Sequence, residues 1–229
     1  MLVAIVPAYN EEKNIGPVIS GLFNHADKVV VVDDGSVDNT VLEAEEALRQ
    51  AQGKAGVVLR HKINRGQGAA LQTGHEYALK LGADYVIDFD ADGQFDVMDI
   101  KPALEALQAS GADILFGSRF LDNRSRVPRL KRMILLPLAR LFDRVFFGIN
   151  LTDAHNGFRI LNKRALSLIN ITQDRMAHAS EIPAQAKKFG LKQIEFPVKV
   201  VYREYGQGWG GGLRVVRDLV LGRFVGGGK

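Results

Sequence analysis

The chain has 229 residues, 46% of them apolar and 24% charged, proportions ordinary for one soluble globular domain with a substantial core. It contains no cysteine, which excludes a disulfide framework, a thiolate metal site and a cysteine nucleophile. The net charge of +4 is uneven: eight basic and two acidic residues between Arg119 and Arg144 make a local +6 and leave −2 for the rest, so an anionic partner is expected at that segment.

The first expected element is a strand over residues 2–6, Leu-Val-Ala-Ile-Val, stopped by Pro7. As an apolar run it is too short for a signal peptide and lacks the basic leader. Helical and extended patterns then alternate: helix 14–23, strand 28–32, helix 40–50, strand 56–61, helix 69–81, strand 85–89, helix 100–109 and strand 113–117. Alternation at this spacing predicts an α/β domain, a mostly parallel sheet with helices on both faces. The run Val29-Val30-Val31-Val32 suits a strand buried on both sides. The second half is less regular, with a basic and apolar stretch ending at Phe147, a turn over 153–159, a helix over 180–189 and an extended segment over 192–202. Neither an internal repeat nor a second domain is evident. No stretch reaches the ~18 consecutive apolar residues of a membrane span.

In such sheets ligands bind beyond the carboxyl ends of the strands, and the polar clusters fall there. Strand one ends in Pro7-Ala8-Tyr9-Asn10-Glu11-Glu12, and strand two in Asp33-Asp34-Gly35-Ser36 with Asp38 and Thr40 following. Asp38 and Thr40 are explained equally well as helix caps. The like-charged pair Asp33-Asp34 is not, and Asp34 is a candidate acceptor for the imino N–H of a nucleobase. Asn64-Arg65-Gly66-Gln67-Gly68 has the wrong glycine spacing for a dinucleotide fingerprint. Gly66 and Gly68 suit either a plain helix entry or one whose N–H groups approach a diphosphate. Strand four ends in Asp90-Ala91-Asp92-Gly93-Gln94. Carboxylates two residues apart on an extended segment share a face, and oxygen ligands of this kind suit Mg²⁺ or Mn²⁺ held against a diphosphate. Strand five delivers Ser118-Arg119. The five histidines show no metal-ligand spacing, with His155 and His178 nearest the site segments.

In this order and spacing, and together with Gly117-Ser118-Arg119, Asp153 and Gly157-Phe158-Arg159, these clusters resemble the inverting family 2 glycosyltransferases of GT-A fold. The dolichyl- or polyprenyl-phosphate mannosyl- and glucosyltransferases are the nearest type. The resemblance covers residues 2–206, leaving 207–229 as a glycine-rich loop and an amphipathic C-terminal segment. It implies that Pro7, Tyr9, Glu11 and Asp34 hold the nucleoside, with Gly66, Gly68 and Asp90 on the same donor. It implies Asp90, Asp92 and Gln94 as the metal–diphosphate site. Arg119, Arg203 and an arginine near Arg132 would face the donor diphosphate or the acceptor phosphate. Asp92, Arg119, Glu181 and Arg203 are thus the candidate catalytic residues, Glu181 or Asp153 serving as base if the acceptor is a hydroxyl. The family often carries Gly-x-Ser-Lys after the late arginine, where this chain reads Gly206-Gln207-Gly208-Trp209-Gly210. Many relatives also continue into transmembrane helices, whereas this sequence stops at Lys229.

The stretch 129–147 carries Arg129, Arg132, Arg140 and Arg144 within roughly a third of a helix circumference, beside a broad apolar face. This is the pattern of a membrane-surface helix, interrupted at Pro137; a core helix with a solvated basic side is the alternative. A second segment, 213–225, repeats the pattern with Arg214, Arg217 and Arg223. The expectation is an enzyme taking a nucleoside-diphosphate sugar and a polyprenyl phosphate, peripheral at the cytoplasmic membrane face and bound to anionic lipid. A homo-oligomer or a small membrane-protein partner is compatible. Nucleic acid is not expected, because no aromatic stacking platform accompanies the arginines. The rivals are a family 2 enzyme acting on a saccharide hydroxyl, a sugar-1-phosphate nucleotidyltransferase and a non-catalytic nucleotide-sugar-binding partner. The nucleotidyltransferase would need a basic glycine-rich loop where Tyr9-Asn10-Glu11-Glu12 stands.

Overall fold

A computed structural model describes residues 1–51, 55–122, 124–125 and 151–201. Its strands are β1 (Leu2–Ala8), β2 (Lys28–Asp33), β3 (Ala55–Arg60), β4 (Tyr85–Asp88), β5 (Ile114–Ser118), β6 (Arg159–Asn162) and β7 (Gln193–Pro197). The helices are α1 (Ile15–Leu22), α2 (Thr40–Gln50), α3 (Gln67–Lys80), α4 (Ile100–Ser110), α5 (Lys163–Leu168) and α6 (His178–Lys188). They form one sheet in the order β3-β2-β1-β4-β6-β5-β7. All neighbours are parallel except at β6, which runs antiparallel to both β4 and β5.

Alternation of side chains across the strands divides the core into two layers. Ala4, Val6, Val29, Val31 and Ile87 meet Ile15, Ile19 and Leu22 of α1 and Ile100, Ala103 and Leu107 of α4. Val3, Ile5, Val30, Val32 and Val86 face Ala70, Leu71 and Ala78 of α3 and Ile182 and Ala186 of α6. Because β1 and β2 lie between neighbours and under helices on both sides, each of their valines and isoleucines is almost fully buried. That burial is worth about 1.5–3 kcal/mol per side chain. The mostly parallel, doubly covered sheet is therefore as expected, and the strand and helix positions agree with the sequence reading to within a few residues.

The difference lies at residues 153–159, expected as a turn. Arg159 instead opens β6, which inserts between β4 and β5 and pairs Asp88 with Arg159 and Tyr85 with Asn162. A four-residue strand that begins with arginine has too little alternation to register as one. Its direction has a consequence for the site. Only a strand running against β4 can bring its first residue to the rim where β4 ends.

Candidate active site

The exits of β1 and β2 are tied together before any ligand is considered. Asn10 adopts φ 56°, an uncommon conformation for a residue with a side chain. Its N–H donates to Ser36 Oγ at 2.9 Å, and its Oδ1 accepts from the Val37 N–H at 3.0 Å. The Glu11 N–H donates to Thr40 Oγ1 at 2.7 Å, and Asp38 accepts from the N–H groups of Thr40 and Glu12. Asp38 and Thr40 thus act less as caps than as cross-ties between the two loops. The result is a rigid rim on which Pro7 is buried and Tyr9 is 45% exposed.

Asp34 is buried, and its carboxylate accepts from the Arg65 N–H at 3.0 Å and the Gly66 N–H at 2.6 Å. His61 Nδ1 lies 2.7 Å away, and the other ring nitrogen meets Thr73 Oγ1 on α3. Asp34 therefore holds the 61–66 loop in place. Gly66, at φ 111°, and Gly68 permit a close approach, made by the chain itself. A Cβ at Gly66 would overlap the Asp174 carbonyl oxygen, and one at Gly68 the Gln173 carbonyl oxygen. The Asp174 oxygen also accepts from the Ala69 N–H at 3.1 Å, so the first turn of α3 is capped by the 173–175 segment.

At the exit of β4, Asp90 and Asp92 stand together as the sequence spacing requires, with Glu11 close enough to feel Asp92. Burial first, then the Asp92 charge, push the Asp90 carboxyl up to about 7, against the opposing pull of Arg159. Burial also raises Glu11, and Asp92 adds to the effect. Gln67 Nε2 donates to Asp90 Oδ1 at 2.7 Å, and Asp92 Oδ1 accepts from the Gln94 N–H at 2.9 Å. A divalent cation would remove the mutual repulsion of the two carboxylates. Among the described residues no three His, Asp or Glu side chains form a complete metal cage. The two carboxylates are hard oxygen donors of the kind such a cation takes alongside diphosphate oxygens.

Arg119 and Asp153 are locked to each other. Arg119 Nε donates to Asp153 Oδ2 and its Nη2 to Asp153 Oδ1, both at 2.7 Å, and the Asp153 side chain is only 2% exposed. Thr152, the residue before, is held by Glu195 Oε1 and meets Ser118 Oγ at 2.6 Å. Glu181 lies on α6 and accepts from the Thr172 and Gln173 N–H groups, from Thr172 Oγ1 and from Gln185 Nε2. It anchors the segment whose next residues cap α3. Arg203, Arg132, Trp209 and the two amphipathic stretches lie outside the described residues.

Under this rim is a buried charged layer that the sequence reading missed. Asp88, on the same face as Val86, meets His75 of α3, with Oδ1 and Nε2 2.7 Å apart. Arg159 is 1% exposed, and His178, held at Nδ1 by the Arg175 carbonyl at 2.6 Å, has its pKa lowered to about 4 by burial and then by Arg159. The signal present was the run Asp88-Phe89-Asp90-Ala91-Asp92, three acids at alternate positions, of which the first was absorbed into the strand.

A doubly covered sheet with one reversed strand, and carboxylates leaving β4 beside a cross-tied rim, is the GT-A architecture of sugar transferases. The chain belongs to glycosyl transferase family 2, whose family model matches residues 3–169. It is 33% identical over 225 residues to the UDP-N-acetylglucosamine–dolichyl-phosphate N-acetylglucosaminyltransferase of Methanococcus voltae, covering 92% of this chain and 89% of that one. It is 30% identical over 211 residues to the polyprenol monophosphomannose synthase of Mycolicibacterium smegmatis, covering 89% and 78%. A mannosyltransferase from Pyrobaculum calidifontis, solved with GDP-Man and Mn²⁺, superposes with a TM-score of 0.63 over 100% of this chain and 65% of its own, a likeness of fold at 19% identity.

Proposed function

We propose that this glycosyltransferase moves a sugar from a nucleoside-diphosphate sugar onto a polyprenyl phosphate, with inversion at the anomeric carbon. The observation that carries the acceptor is the engagement of the two carboxylates a hydroxyl acceptor would need as base. Asp153 is chelated by Arg119, and Glu181 is saturated by the 172–173 segment and Gln185. A phosphate acceptor needs neither, since its second pKa is about 6. Its oxygen attacks the anomeric carbon, and the bond to the donor's β-phosphate breaks with the electron pair leaving on the diphosphate. The names of the two relatives, one for dolichyl phosphate and one for polyprenol monophosphomannose, support the same acceptor class.

Asp90, Asp92 and Gln94 would hold Mg²⁺ or Mn²⁺ against the donor diphosphate. Bound there, the cation supplies Lewis-acid stabilisation of the charge developing on the leaving group. Pro7, Tyr9, Glu11 and Asp34 form the nucleoside side, with Asp34 acting both on the base and through the 61–66 loop. Arg119, Arg203 and an arginine near Arg132 are assigned to the phosphates. The reading includes attachment to the cytoplasmic face of an anionic membrane through 129–147; no helix among the described residues is long and apolar enough to cross a membrane.

The deciding experiment offers UDP-, GDP- and dTDP-sugars, labelled in the sugar, together with a polyprenyl phosphate, and then extracts with organic solvent. Label in the organic phase, dependent on a divalent cation, is the expected result. Label transferred only to soluble saccharides would replace this reading with that of a family 2 enzyme acting on a hydroxyl. Liposome sedimentation at low and high salt, with Arg132, Arg140 and Arg144 changed to Glu, tests the membrane attachment. Equal sedimentation of wild type and triple variant would assign 129–147 to the protein interior or a subunit contact.

A further inference from the structure

We infer that Arg159 is the positioning residue of the β4 carboxylates: from beneath the rim, its buried guanidinium sets where Asp90 stands and so how strongly the site takes a divalent cation. The inference rests on the metal reading above and concerns residues outside it.

Three observations converge on Arg159. First, the reversed direction of β6 places it opposite Asp88 across the β4–β6 pair, two residues from Asp90 in sequence and at the same rim. Second, its charge acts on Asp88, Asp90 and Asp153, so one cation serves carboxylates at the end of β4 and in the segment leading into β6. Third, the segment that carries it presses on Asp90 directly. A Cβ at Gly157 would overlap Asp90 Oδ2, so this glycine is the floor on which the carboxylate rests.

The hydrogen bonding separates Arg159 from an ordinary structural ion pair. Arg159 Nε and Nη1, Asp88 Oδ2 and His75 Nδ1 are all buried without a hydrogen-bond partner among the described residues. Arg119 and Asp153, by contrast, form the bidentate pair expected of a stabilising bridge. Arg159 leaves two donors unspent although Asp88 lies opposite it. A fully buried arginine kept this way is costly to the fold, and its return lies in the field it imposes on Asp90. His75 of α3 engages one oxygen of Asp88 and leaves the other without a partner among the described residues. The arrangement resembles the outer-shell support that metal ligands require, in which groups behind a ligand fix its orientation and charge.

The test measures Mn²⁺ binding by the electron paramagnetic resonance of the free ion, in the presence of whichever of UDP or GDP raises the melting temperature of the wild type. No turnover is needed. Removing Arg159 alone would leave Asp88 buried and unpaired, so the informative variant is Arg159→Met combined with Asp88→Asn. This pair is expected to melt near the wild type in chelator while binding Mn²⁺ about tenfold or more weakly, the range seen when outer-shell partners are lost. Arg159→Lys keeps a charge in the layer and loses the planar fork; an intermediate loss, roughly threefold to tenfold, is expected. Gly157→Ala, which displaces Asp90 without touching the charge, should also weaken Mn²⁺. Wild-type Mn²⁺ affinity in the double variant or in Arg159→Lys would overturn the inference and leave Arg159 as a partner of Asp88 only. Failure of the wild type to bind Mn²⁺ with nucleotide would instead strike at the metal reading itself.

Discussion

Replacing Asp34 with alanine should damage stability and donor binding together, and the structure allows the first effect to be sized. The buried carboxylate accepts from two backbone N–H groups, those of Arg65 and Gly66, and lies against His61. Hydrogen bonds to a charged group contribute about 1.5–3 kcal/mol each. The three are not additive, because Arg65 is exposed and Gly66 only half-buried, so their N–H groups can turn to water once released. Two bonds' worth, about 3 kcal/mol, is the reasonable loss. For a domain of this size each kcal/mol moves the midpoint by about 2–4 °C, so calorimetry should show a fall of roughly 6–12 °C. The same change frees the loop that leads into Gly66, so the donor dissociation constant from titration calorimetry should rise more than turnover falls. A base contact is made equally in ground and transition states, and the loop acts on both. A variant that melts within a degree of wild type would refute the hydrogen-bond argument. A collapse of turnover at unchanged donor affinity would move Asp34 into the chemistry.

Asp92→Ala should abolish divalent-dependent transfer with little change in melting temperature, since the side chain is part of the rim and outside both core layers; full activity in chelator would remove its metal role. Metal affinity should rise with pH through about 7, where Asp90 loses its proton in the metal-free protein. One competing proton makes binding at pH 6 about tenfold weaker than at pH 8, a difference that Asp90→Asn should flatten. The sign for the apo fold is opposite: a carboxyl raised from 3.8 to about 7 contributes stability that is full at pH 3.8 and below and is lost as pH rises through 7. Glu181→Gln should raise the donor KM and lower the melting temperature by loosening the 172–173 segment, leaving kcat within about tenfold; loss of kcat alone, by the 10²–10⁴ typical of a general base, would restore Glu181 as the base.

The alternation of elements, the buried valine run of β2 and the polar residues at strand exits were all legible in the sequence. Each depends on period and composition within a dozen residues. The pairing of Asp90 with Asp92 was legible for the same reason, because two positions apart on an extended segment is a local geometry. The partners of the site residues were not legible. That Asp34 meets residues 61–66, Arg119 meets Asp153 and Glu181 meets residues 172–173 depends on contacts that only packing brings together. The helix entry at Gly66 and Gly68 shows the distinction well. Sequence says that something comes close there, and only the fold shows that the 173–175 segment does. β6 is the extreme case: four residues, an arginine first, with no periodicity of their own. Their place between β4 and β5 comes from the sheet around them, and with it Asp88, Arg159 and His75 become one buried layer. A buried charge has no local sequence signature, because its burial belongs to its neighbours.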